Sequence, residues 1–145
     1  MKLIPKISLA LFVFVSIIYS CKKDKKNQNN PVPNVAVSID IYPNDPQFAS
    51  TIGVPGGWVY VTGGNKGIII YRKSNTDFVA IERTCTYDPN TNSLVKVQSD
   101  NTTIKDTVCG SKFHIFDGGV LGGPASQGLK VYGTTYDGTT LHIYN

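Results

Sequence analysis

Residues 35–41 place apolar side chains at odd positions and small or polar ones at even positions, Ala36 excepted, which predicts a strand with one buried face. Tyr42, Pro43, Asn44, Asp45 and Pro46 close it. Residues 47–57 hold no period and read as an irregular crossing anchored by Phe48, Ile52 and Val54. Two β-rich runs follow, 58–62 and 68–72, and the glycine-rich stretch 63–67 between them predicts a hairpin. A turn at 74–77 leads into 78–83, and further strands are expected at 93–98, 102–108, 129–132, 134–136 and 141–144. No stretch beyond residue 33 shows a helical period with caps. The spacing of strands and turns predicts one all-β domain over residues 34–145, an antiparallel β-sandwich or barrel.

The pattern ahead of that domain is of another kind. Lys2 and Lys6 precede an apolar run over 7–19, and Ser20 stands directly before Cys21, as in a secretory signal spanning 1–20. The run is short for a bilayer span. Ile18-Tyr19-Ser20-Cys21 resembles a bacterial lipobox, which implies lipidation of Cys21 and a membrane partner through that anchor. Residues 21–33 are Lys, Asn, Gln and Pro with almost nothing apolar, the composition of a disordered tether. The expected location is the bacterial cell envelope: outer membrane, periplasmic or surface-facing. The whole chain carries a formal charge of +4, yet eight basic and nine acidic residues lie from Asn27 onward. The basic excess therefore belongs to the targeting segment and tether, and the folded part has no footprint for nucleic acid.

The domain's chemistry centres on its two cysteines. Cys85-Thr86-Tyr87 forms one turn-like segment; Asp106-Thr107-Val108-Cys109-Gly110-Ser111-Lys112-Phe113 forms a second. Asp117-Gly118-Gly119-Val120-Leu121-Gly122-Gly123-Pro124-Ala125 follows. Together these resemble the paired loops and lid of a Rieske [2Fe–2S] domain, in which Cys-X-His and Cys-X-X-His supply two thiolates to one iron and two imidazoles to the other. The resemblance spans residues 34–145 and implies a Rieske-like antiparallel β-sandwich or barrel with a small two-loop subdomain. In its register Cys85 keeps a ligand position, while Tyr87 replaces a histidine, Asp106 a cysteine and Cys109 a histidine. Gly122, Gly123 and Pro124 match the lid loop. Asp and Tyr replace soft donors poorly, so a degenerate member without its cluster is implied, and no metal or cofactor is expected.

Ligands of one cluster lie close together, so the resemblance also implies that Cys85 and Cys109 are near neighbours. In an exported chain such a pair is expected to form a disulfide. The function expected is a non-catalytic structural or interaction role with an unidentified protein partner. The alternative is a [2Fe–2S] electron-transfer protein or redox-complex subunit with an atypical ligand set. A thiol–disulfide switch is a third class, and it requires an accessible, strained bridge.

Other chemistry is sparse. His114 falls in an expected strand near the second loop, and His142 alternates with Leu141 and Ile143 as a solvent-facing position. Asp106 and Asp117 read as turn aspartates capping backbone amides rather than an acid/base pair. Ser111 has no histidine base on its loop and reads as a hydroxyl bonding the loop backbone. Residues 63–67 lack the following helix of a phosphate loop. The tyrosines at 42, 60, 71, 132, 136 and 144 suit ordinary strand positions.

Overall fold

The computed structural model describes residues 31–145. The signal expected at 1–20, the expected lipidation site Cys21 and the expected tether up to residue 30 lie outside the described residues. Ten strands and one short helix follow: β1 (Ser38–Ile41), α1 (Pro46–Ile52), β2 (Trp58–Val61), β3 (Ile68–Arg72), β4 (Phe78–Glu82), β5 (Val95–Val97), β6 (Thr103–Asp106), β7 (Lys112–His114), β8 (Val120–Gly122), β9 (Val131–Tyr136) and β10 (Leu141–Tyr144). They form a six-stranded sheet in the order β1-β10-β9-β4-β3-β2 and a four-stranded sheet in the order β5-β6-β7-β8. Every pairing is antiparallel.

Strands β3 and β4 sit inside the larger sheet and are buried along their whole length. Their apolar runs have no polar alternation because both faces are covered. Ile69, Tyr71, Val79 and Ile81 pack into one core with Val95, Ile104 and Phe113 of the smaller sheet. Ile68, Ile70, Phe78 and Ala80 face the other way, onto a second core with Ile52, Leu141 and Ile143. Cys85 belongs to the first core, so the loop that carries it is fixed by apolar packing between the sheets.

Three expectations change. The crossing at 47–57 contains α1, opened by Pro46 at its first turn and lacking a side-chain cap from Asp45. Seven residues without a capping bond leave too little periodicity to read as a helix. Ile52 is fully buried as an anchor and Phe48 packs beside it, but Val54, beyond the helix end, is 64% exposed. The runs 129–132 and 134–136 are one strand, β9, because Gly133 stays in the ladder opposite Tyr144. Of the run at 35–41, only Ser38–Ile41 pairs as a strand.

Two buried charged groups organise the larger sheet. Arg72 donates to the carbonyls of Ile52, Gly53, Ser74 and Asn75, and its guanidinium lies 5.0 Å from the Phe78 ring centroid. It thereby joins the end of α1 to the β3–β4 turn. At the opposite end Glu82 is fully buried. Its Oε1 accepts from the Lys66 and Thr84 amides and the Thr84 hydroxyl, and its Oε2 from the Asn65 amide and the Tyr132 hydroxyl. Gly64 has a φ of +62°, and a Cβ there would fall on the Glu82 carboxylate and the Tyr132 hydroxyl. The β2–β3 turn can wrap the carboxylate only with glycine at that point.

Candidate functional site

The first loop leaves β4 through Arg83 and Thr84 and presents Cys85. The second is the β6–β7 turn, closed by the Asp106 amide on the Ser111 carbonyl (2.9 Å) and the Gly110 amide on the Asp106 carbonyl (3.0 Å). Gly110, at a φ of +79°, lets that turn reverse. The lid joins both loops. Thr86 donates its hydroxyl to the Gln127 carbonyl at 2.6 Å, and the Ala125 amide donates to the Ser111 hydroxyl at 3.1 Å. Gly123 approaches the second loop so closely that a Cβ would sit 2.6 Å from the Ser111 Cα.

These bonds bring Cys85 and Cys109 together, with their sulfurs 3.6 Å apart. Both are free thiols in this structure, their sulfurs in contact without a bond. The separation is a non-bonded contact, well beyond the S–S bond of about 2.05 Å. Asp106 completes the group: one ligand atom from each of Cys85, Asp106 and Cys109 lies within 4.8 Å of the others. Cys85 is 1% exposed, Asp106 is buried and Cys109 is half-buried. Of the lid, Ala125 is buried, whereas Gly122 is half-buried and Gly123 and Pro124 are exposed, so the cover over Cys109 is partial.

Asp106 acts through Oδ1, which accepts from the Ser93 hydroxyl at 2.6 Å, the Val108 amide at 2.7 Å and the Cys109 amide at 3.3 Å. Burial pushes this carboxyl up, but the bonds from Ser93, Val108, Cys85 and Cys109 outweigh it and leave it below its ordinary range. Burial likewise pushes the Cys85 thiol up to about 12; the Tyr87 amide opposes this, and Cys109 and Asp106 reinforce it. Cys109 accepts the Ser111 amide at 3.4 Å and lies 3.1 Å from the Ser111 hydroxyl. Ser111 is thus the backbone-bonding hydroxyl expected of it, with an added contact to sulfur.

The remaining sequence candidates lie elsewhere. Tyr87 is 55% exposed and is not part of the group. His114 stacks on Phe116 at 4.8 Å and has Nδ1 3.8 Å from Asp117, which caps the Gly119 amide. His142 pairs with Asp40 across the β1–β10 ladder at 2.6 Å. Tyr71 and Tyr132 are buried while Tyr42 and Tyr144 are exposed, so the tyrosines form no common face. Glu82 went unnoticed in the sequence. Its signal was a carboxylate at the end of a run, 78–82, that has no solvent-facing alternation.

A [2Fe–2S] cluster of Rieske type needs two thiolates and two imidazoles on two irons. Among the described residues the loops bring together two sulfurs and one carboxylate, with no histidine. The donor set does not fit the cluster.

No protein-family model matches the chain, and no curated protein matches it. Solved structures do. One is a chain of the complex of reduced oxygenase and oxidized ferredoxin in carbazole 1,9a-dioxygenase, 20% identical, covering 74% of this chain and 93% of that one, with a TM-score of 0.50. Another is a candidate NADH-dependent nitrite reductase small subunit from Mycobacterium tuberculosis, 13% identical, covering 77% and 97%, with a TM-score of 0.45. A third, a candidate small subunit of an NADPH nitrite reductase, is 12% identical over 74% and 97%, with a TM-score of 0.43. The first of these likenesses, with the two antiparallel sheets and the paired loops, establishes that this chain has a Rieske-like fold.

Proposed function

We propose that this chain is a Rieske-like module that has given up its iron–sulfur cluster and serves a non-catalytic structural or interaction role in the bacterial cell envelope, anchored by lipid on Cys21. The observation that carries this reading is the donor set: both loops converge, yet among the described residues no imidazole meets them and an aspartate stands beside the two sulfurs. In the oxidising envelope Cys85 and Cys109 give up two protons and two electrons to an external disulfide and form the bond that replaces the metal as the tie between the loops. Closing it takes a small approach from 3.6 Å. Tyr87 and Val108, 55% and 71% exposed on the two tied loops, are the apolar tips offered to a protein partner.

The test is an iron and acid-labile sulfide assay with a visible spectrum, coupled to a thiol count before and after reduction. A colourless, iron-free protein whose Cys85 and Cys109 thiols appear only after reduction supports the reading. Stoichiometric iron and sulfide with charge-transfer bands would overturn it in favour of an electron carrier.

A further inference from the structure

We propose that in the reduced protein Cys85, Cys109 and Asp106 form a mononuclear site for one thiophilic divalent cation of the zinc class. The proposal rests on the reading that the iron–sulfur cluster has been lost, and it concerns the reduced pair, since a disulfide has no thiolate to offer.

The spacing is the first argument. Two thiolates on one tetrahedral zinc ion, each bonded at about 2.3 Å, lie about 3.75 Å apart. Cys85 and Cys109 stand 3.6 Å apart, and a carboxylate oxygen shares the same 4.8 Å sphere. Little rearrangement separates this arrangement from a bound one.

The surroundings are the second. Ligating carboxylates and thiolates are held by outer hydrogen bonds that orient them. Asp106 has three on Oδ1, which lock its rotamer and leave Oδ2 outside those bonds. The Ser111 amide serves the Cys109 sulfur. Three groups able to carry negative charge meet there, and among the described ion pairs no lysine or arginine answers them. When both thiols give up their protons on binding, a divalent cation supplies the balancing positive charge.

The chemistry of the donors chooses the ion. Two sulfurs and one oxygen favour zinc or its tetrahedral analogues over magnesium or calcium, which take oxygen ligands. Three protein ligands leave a fourth position, for water or for the Ser111 hydroxyl, which lies 3.1 Å from the Cys109 sulfur. Binding releases two protons, one from each thiol, as two metal–sulfur bonds form.

The experiment starts from the full-length protein after the iron and sulfide assay, stripped with a chelator and reduced with a phosphine. It is titrated with Co2+, then with Zn2+. One cobalt per chain is expected, with sulfur-to-cobalt charge-transfer bands and the visible bands of a tetrahedral ion, both removed by equimolar zinc. D106N is expected to weaken cobalt binding by about tenfold or more while keeping the charge-transfer bands. C109S, at the more open cysteine, is expected to lose most of them, and it stands in if D106N fails to fold by circular dichroism. Folded, reduced wild type with no charge-transfer bands in excess cobalt overturns the proposal, as do bands and affinity unchanged in D106N or C109S. Iron and sulfide found at the outset would instead overturn the underlying reading.

Discussion

Two carboxylates, Glu82 at the end of β4 and Asp106 at the end of β6, are both buried, but their neighbours differ. Around Glu82 every donor is an amide or a hydroxyl: three backbone N–H groups and two O–H groups converge on its two oxygens. Around Asp106 the bonds from Ser93, Val108 and the Cys109 amide fall on one oxygen, and the remaining neighbours are thiols. The first arrangement is complete and has no chemistry left to do. The second changes character when its sulfurs are oxidised or deprotonated. Burial and a carboxylate do not by themselves make a site; the kind of donor beside the carboxylate does.

The sharpest way to break this comparison is Glu82→Ala. It leaves the five donors without their acceptor in a closed pocket, and removing one partner of a buried charged network costs about 3–5 kcal/mol. Urea unfolding of the variant against wild type measures it. A loss below about 1 kcal/mol would mean that the β2–β3 turn finds other acceptors. The loss is expected to be the same with and without reductant, because no sulfur takes part.

Reduction acts on the other carboxylate's region and comes next in size. Cys85 and Cys109 are separated by 24 positions, and a disulfide across such a loop stabilises by roughly 3–4 kcal/mol in the chain-entropy model. Adding a phosphine to the oxidised protein should lower its unfolding free energy by that amount and leave C85S/C109S unaffected. Equal stability in both redox states would show that the loops are held by the lid bonds from Thr86 and Ala125 alone.

A smaller effect isolates one bond of the Glu82 network. Tyr132→Phe removes only the hydroxyl that donates to Oε2 at 2.6 Å, and a hydrogen bond to a charged acceptor contributes about 1.5–3 kcal/mol. The phenol is raised from its ordinary range by burial, then by its bond to Glu82 and the charge there, so it stays a donor at every pH at which the protein is handled. Urea midpoints across neutral pH should shift by a constant amount.

The strands were legible wherever burial imposed a pattern. Leu141–Tyr144 stands where its alternation places it, and the unbroken runs of β3 and β4 reflect cover on both faces. Elements defined by partners rather than by their own sequence were not legible. Strand β8 is three residues in a glycine-rich stretch and becomes a strand only through Lys112 and Phe113. Helix α1 is too short for its period to show. The meeting of Cys85 with Cys109 followed from resemblance to a two-loop domain, since nothing local to either residue points to the other. Asp106 was legible as a displaced ligand and as a turn aspartate capping backbone amides, which covers its bonds from Val108 and Cys109, but its third bond comes from Ser93, thirteen residues away.

The weakest effect tests whether Asp106 is held as an anion. Its folded-state value lies below the ordinary one, because the bonds from Ser93, Val108, Cys85 and Cys109 outweigh the burial that opposes them. A depressed carboxyl adds stability that is fully present above the unfolded value of about 3.9 and is lost as pH falls through the folded value. Asp106→Asn should therefore flatten the acid limb of a urea-midpoint curve below about pH 4. It should not abolish the limb, since Asp100, lowered to about 2 by the Thr102 and Thr103 amides, and Asp137, lowered by those of Thr140 and Thr139, remain. The chelator-treated protein is used so that no ion competes for the carboxylate. Superimposable curves for variant and wild type would mean that Asp106 carries no net preference for the charged form, and its likeness to Glu82 would then end at burial.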